Sequence, residues 1–184
     1  QSGDDGILRA MGRNYTAERC ASRFAELARA IPGICLGADF IAGFPGESAE
    51  AFERTMAWVR ESPIAYLHVF PYSPRENTLA AQMPGRLHGE ESRRRVRALR
   101  ELGRRKWAAF VASQAGASRL EVLIEGRRKD GLLTGLTDNY VRVAIDGPEK
   151  WIGEIVPMRL SPGGGGGAYP PAAGREEAIL GVVV

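Results

Sequence analysis

Two short, almost wholly apolar runs, "ICLGADFIAG" (34–43) and "AYLHVFPYS" (65–73), each follow a helix-like segment, and this alternation limits the fold more than any other feature. The segment before the first, "TAERCASRFAELARAIPG", starts at Thr16 as a candidate N-cap, spaces Phe24, Leu27 and Ile31 helically, and stops at Pro32-Gly33. The segment before the second, "SAEAFERTMAWVRES", has Ser48 as its cap and Phe52, Met56 and Val59 on one side. Unbroken apolar runs of this length mark strands buried on both faces, so helix, strand, helix, strand implies a parallel sheet covered by helices.

Past a loop at 74–89, "EESRRRVRALRELGRRKWAAFVASQAG" reads as one long helix. Val96, Leu99, Gly103, Trp107 and Phe110 form its apolar stripe, with Arg93, Arg97, Arg100 and Arg104 beside it. Then the period changes. "SRLEVLIEG", "GLLTGLTDN", "NYVRVAID" and "WIGEIVPMRLS" are short β-like runs parted by Gly, Asp and Asn, which predicts a small antiparallel barrel. The expected division is therefore an α/β part at 1–89, a basic linking helix at 90–115, a β-barrel at 116–162 and a low-complexity tail at 163–184. The closing "AILGVVV" has no assignment from sequence.

Candidate ligand groups lie where strands end, because loops leaving the carboxyl ends of α/β sheets carry the binding sites. Gly43-Phe44-Pro45-Gly46 is one such end and Pro71-Tyr72-Ser73 another. The glycines either let a ligand approach the backbone or serve only a tight strand-to-helix turn. Asp39, inside an apolar run, either faces a ligand or pairs with a basic neighbour. His68 reads as a hydrogen-bonded core histidine with no carboxylate in view, and His88 falls in a polar loop. Two histidines, and two cysteines (Cys20 and Cys35) without ligand spacing, argue against a metal site within the chain. No apolar run approaches the roughly 20 residues that span a bilayer, so no membrane is expected as a partner.

Net charge is only +3, but the cations are crowded. Arg93, Arg94, Arg95, Arg97, Arg100, Arg104, Arg105 and Lys106 face only Glu90, Glu91 and Glu101. Arg127, Arg128 and Lys129 sit at a turn of the barrel, and Tyr140 and Trp151 offer rings for stacking. A basic ridge leading into a β-barrel is a candidate RNA surface, with a solvated helix face as the plain alternative.

The ordered set "QSGDDGILRAMGRNYT", "ADFIAGFPGE", "YLHVFPYSPRENTLAAQMP" and "GLTDNYVRV" resembles the later half of radical S-adenosylmethionine methylthiotransferases. "YLHVFPYS" and "GLTDNYVRV" tilt the likeness toward those acting on N6-threonylcarbamoyladenosine in tRNA, over the isopentenyladenosine and ribosomal-protein relatives. The resemblance implies the later βα units of a partial radical (β/α) barrel followed by a TRAM-like β-barrel. It implies S-adenosyl-L-methionine and two 4Fe–4S clusters as cofactors, tRNA as partner, an electron donor such as flavodoxin or ferredoxin, and a cytoplasmic setting. Gln1, Ser2, Arg13, Asp39, Ile41, Gly43, Phe70, Pro71 and Tyr72 fall at its cofactor positions. Arg13 is there the partner of the methionine carboxylate, and Arg93, Arg97, Arg100, Arg104, Arg127, Arg128, Lys129 and Tyr140 are expected on RNA. No Cys-x-x-x-Cys-x-x-Cys occurs, so the cluster cysteines are expected upstream of Gln1 and this chain alone is expected to be inactive. The family's Arg-Pro-Gly-Thr is here Arg75-Glu76-Asn77-Thr78, which predicts loss of a rigid turn. A non-catalytic RNA-binding module is the rival expectation.

Overall fold

The computed structural model describes residues 1–87, 89–114, 120–160 and 179–183. His88, the residues around Gly116 and most of the expected tail lie outside them. The chain divides into two compact units, Gln1–Arg105 and Lys106–Val184.

In the first unit, α1 (Asp5–Ala10), α2 (Ala17–Ala30), β1 (Gly37–Ala42), α3 (Ala49–Glu61), β2 (Tyr66–Pro71), the short α4 (Leu79–Gln82) and the start of α5 (Gly89–Gln114) follow in order. The two strands pair in parallel, with Asp39 opposite His68 and Ile41 opposite Phe70. Thr16 and Ser48 cap α2 and α3 through bonds from the amides of Arg19 and Ala51, as their positions before apolar periodicity predict. Helix α1 was not anticipated. Its cap is Asp4, which accepts from the Ile7 amide at 2.8 Å and from Arg54 Nε at 2.6 Å.

Burial, the largest single influence on Asp4, pushes its carboxyl up, but those hydrogen bonds together hold it below the ordinary 3.8. A depressed acid stabilises the fold above its unfolded pKa and loses that contribution as pH falls through its folded one. Lowering the pH below about 4 is therefore expected to weaken the first unit. In Asp4→Asn, thermal melts across pH 2–5 should show a flatter acid limb, and an unchanged limb would rule this cap out as the cause.

Phe40, Ala42, Leu67 and Val69 point to one side of the strand pair and are buried with Phe52, Met56 and Val59 of α3. Gly3 is needed beneath that helix, since a Cβ there would lie 2.6 Å from Trp58 Cβ. The other side is open, contrary to the expectation of strands buried on both faces: Asp39, His68 and Phe70 alternate with the buried set and are exposed. An apolar run does not say how many faces are covered, and among the described residues only one is.

The second unit is a closed barrel of β3 (Leu120–Arg127), β4 (Leu133–Thr137), β5 (Arg142–Ile145), β6 (Ile155–Leu160) and β7 (Ile179–Val183), ordered β3-β4-β5-β7-β6. Val122, Ile124, Leu133, Val143, Ile145 and Met158 fill its interior through the period-2 alternation of their strands. Gly135 opposes β3 so closely that a Cβ would sit 2.6 Å from Val122 Cγ1 and 2.7 Å from the Leu123 carbonyl. The unassigned terminal run supplies β7, antiparallel to β6 and parallel to β5. No helix among the described residues is long and apolar enough to cross a membrane.

Candidate functional site

The turn at 43–47 is held by the protein itself. Gly43 and Gly46 both adopt positive φ, +80° and +81°, which glycine accepts without strain. The Gly43 amide donates to Glu47 Oε2 at 2.8 Å, and the Gly46 amide to the Gly85 carbonyl at 3.1 Å. A Cβ on Gly43 would approach Ser92 Oγ of α5 at 3.1 Å. What crowds the glycine is thus the protein's own helix.

Glu47 and Arg95 form a buried ion pair at 2.9 Å, their side chains 1% and 4% exposed. The same Arg95 nitrogen donates to the Glu47 and Ser48 carbonyls, Nε donates to Glu91 at 2.8 Å, and the guanidinium lies over the Phe52 ring. Burial pushes the Glu47 carboxyl up, against the opposing pull of Arg95 and the Gly43 amide. Arg95 therefore does not belong to the basic ridge.

On the open sheet face, Gly37, Asp39 and Ile41 of β1 run beside Tyr66, His68 and Phe70 of β2. His68 Nδ1 lies 3.3 Å from Asp39 Oδ1, both side chains about half exposed. This overturns the core-histidine reading. The strands' register supplies the carboxylate, and one strand cannot be seen opposite the other in sequence. The His68 ring meets Tyr66 and Phe70 edge-on at 5.4 and 6.4 Å. Gly37 has no side chain because the Tyr66 ring lies on it, 2.2 Å from where a Cβ would stand.

Of the cofactor candidates, Asp39, Ile41 and Phe70 share this face, and the Gln1 carbonyl accepts from the Ile41 amide at 3.0 Å along the free side of β1. Gln1, Ser2 and Asp39 also border a cleft of about 210 Å³ with Tyr15, Cys20 and Trp58. Arg13 is exposed just beyond α1. Ser2 is also engaged elsewhere, and the remaining candidates stand apart. The Ser2 hydroxyl is 3.0 Å from that of Thr55 and accepts from the Asp4 amide. The Tyr72 ring packs edge-on against Phe44 at 5.3 Å in a cluster with Ile7 and Met83, and Pro71 is exposed at the strand end.

The turn after β2 survives its changed sequence. Asn77 takes φ +64°, and Thr78 donates its amide to the Arg75 carbonyl while capping α4. Asn tolerates the left-handed region better than other residues with a side chain, so it stands in for glycine.

On α5, Arg93, Arg97, Arg100 and Arg104 are all exposed. Glu90 pairs with Arg93 and Arg97, Glu101 with Arg104 and Arg105, while Arg100 donates to the Val69 carbonyl at 3.1 Å. The glutamates order the ridge without neutralising it. On the barrel, Arg127 and Lys129 are exposed; Arg127 donates to the Gly131 carbonyl, and Arg128 pairs with Asp130 at 3.0 Å. Tyr140 is 63% exposed at φ +67°. Thr137 and Asn139 brace its turn: Thr137 Oγ1 accepts from the Val141 amide, and Asn139 donates to Gln114. A tyrosine held at positive φ is costly unless its surroundings over-determine it. Trp151 is not available in the same way, because its ring covers Gly147.

Both cysteines are free, and burial pushes the Cys35 thiol up to about 11. Two separate thiols, Cys20 on α2 and Cys35 just ahead of β1, do not fit an iron–sulfur cluster, and no His, Cys, Asp or Glu group among the described residues suits a metal.

Residues 117–161, within the barrel, match the TRAM domain family. Strand β7 lies beyond that match. Over 179 residues, 95% of its length, the chain is 38% identical to the threonylcarbamoyladenosine tRNA methylthiotransferase MtaB of Bacillus subtilis, covering 39% of that protein. It is 37% identical over 163 residues to the tRNA-2-methylthio-N(6)-dimethylallyladenosine synthase of Geobacillus kaustophilus, covering 88% of itself and 30% of the relative. The Methylobacillus flagellatus protein of that name is 37% identical over 164 residues. The chain belongs to the methylthiotransferase family, and it spans about two fifths or less of the length of these relatives.

Proposed function

We propose that the chain is the RNA-facing and substrate-facing portion of a radical S-adenosylmethionine methylthiotransferase that modifies C2 of N6-threonylcarbamoyladenosine in tRNA. The observation that carries this is similarity along 95% of the chain to a protein of that name, together with the TRAM match. The 37% identity to dimethylallyladenosine enzymes keeps that nucleoside as the second reading.

When bound, S-adenosylmethionine and the clusters supply the methyl group, the sulfur and the radical that removes hydrogen from C2. The chain's own share is to bind and orient. Ile41 and Phe70 offer an apolar floor for adenine, with the Gly43 turn closing the strand end. Arg13 suits the methionine carboxylate because its fork binds two oxygens. The cluster ligands lie outside this residue set, whose two cysteines do not fit them. Arg93, Arg97, Arg100, Arg104, Arg127, Arg128 and Lys129 engage tRNA phosphates, and Tyr140 stacks on an exposed base. Electrons come from a flavodoxin-like or ferredoxin-like donor in the cytoplasm.

The test is to express the complete coding region that carries this chain in a bacterium lacking its own methylthiotransferases and to weigh the tRNA nucleosides. A methylthio gain on threonylcarbamoyladenosine is expected. A gain on dimethylallyladenosine alone would favour the second reading, and no gain on either would overturn both.

A further inference from the structure

The names of the relatives divide between two adenosine substituents of opposite chemistry. A threonylcarbamoyl group carries a carboxylate, a hydroxyl and amides, whereas a dimethylallyl group is a bare hydrocarbon. A protein face that meets one of them should be matched to it, because a polar group desolvated against hydrocarbon loses its hydrogen bonds without replacement.

The open face of the strand pair carries a polar unit amid apolar neighbours. Asp39 and His68 stand opposite each other in register, 3.3 Å apart, each about half exposed. Tyr66 and Phe70 flank the imidazole edge-on, and Ile41 continues the apolar floor. Gly37, with Tyr66 laid over it, leaves that end of β1 without a side chain. Asp39 takes the Nδ1 edge of the ring, so Nε2 on the far edge is left for a ligand. The carboxylate faces that edge of the ring, and two aromatic side chains stand beside it.

We infer that His68, oriented by Asp39, selects a polar N6 substituent on the substrate adenosine and disfavours an apolar one. The inference rests on the methylthiotransferase reading and names what decides its substrate. His68 contacts the substituent; Asp39 is a positioning residue. A threonylcarbamoyl group offers Nε2 a hydrogen-bonding partner, while a dimethylallyl group strips water from the pair and returns nothing.

The experiment uses the complete protein carrying this chain, with tRNA bearing either modified adenosine, and reads kcat/KM for each. Wild type should prefer the threonylcarbamoyl substrate. His68→Leu should lower kcat/KM on it about tenfold or more while leaving or raising that on the dimethylallyl substrate, so that the preference narrows or inverts. His68→Gln, which keeps a hydrogen-bonding group, should retain most of the preference, and Asp39→Asn should fall between. A preference that follows the hydrogen-bonding capacity of residue 68 is something a merely structural role would not produce. An equal fall on both substrates in His68→Leu overturns the inference and assigns the pair to the cofactor or to folding. A wild type that acts only on dimethylallyladenosine overturns it too while leaving the family reading intact. Action on neither sinks the reading itself.

Discussion

Replacing Arg95 with Ala is expected to cost about 3–5 kcal/mol, because it strands a buried carboxylate rather than removing a surface charge. Glu47 is 3% exposed, and Arg95 provides its only cationic partner among the described ion pairs. Arg95 also ties the Glu47 and Ser48 carbonyls to α5, so the carboxyl end of the glycine turn loses an anchor with it. The loss should grow with pH. Glu47 already holds its proton more tightly than an unfolded glutamate, and without Arg95 that difference widens. Such a group binds more protons folded than unfolded, so its contribution falls as pH rises from the ordinary 4.5 through the folded value. Urea unfolding at pH 5 and pH 8 reads both effects. The double variant Glu47→Gln/Arg95→Met removes both charges and should recover much of the loss. A single variant within 1 kcal/mol of wild type would refute the buried pair as the anchor.

The second large effect is on RNA. Converting Arg93, Arg97, Arg100 and Arg104 together to Ala is expected to weaken tRNA binding at least a hundredfold at moderate salt. The slope of log K against log salt should become shallower by about 0.9 for each phosphate that is no longer neutralised. All four side chains are exposed, and only Arg100 reaches another element, through the Val69 carbonyl. Stability should therefore move little, which separates a weakened RNA surface from a damaged fold. Filter binding from 50 to 300 mM salt measures the slope. Unchanged affinity and slope would mean that the ridge is only a solvated helix face.

Features set by neighbours along the chain were legible in the sequence. Thr16 and Ser48 cap their helices because an N-cap is decided within three residues, and the switch from helical to strand period marks the barrel. Features set by what lies opposite were not. His68 gains its carboxylate only when β1 and β2 align, and the open face appears only when the covering helices are counted. Arg95 did carry a signal along the chain. It shares the helical stripe of Glu91 and Leu99, four residues away on either side, whereas Arg93 and Arg97 lie off it. At Asn77 the absence of the Pro-Gly pair suggested a lost turn, yet asparagine is the residue type that replaces glycine best at positive φ.

Strand β7 changes how the barrel must be put together. β3 through β6 join by pairings that are antiparallel throughout, β4 with its two sequence neighbours and β6 returning to β3. β7 instead fits between β5 and β6 with residues 161–178 intervening, and pairs in parallel with the first. Bringing the two ends of a stretch that long together costs about 2.5 kcal/mol of chain entropy before any pairing repays it. The four earlier strands can therefore associate ahead of it, and closure becomes the slow, separable step in folding. Until it happens, β5 and β6 keep unsatisfied backbone edges, the places where a half-assembled barrel would exchange strands with another copy.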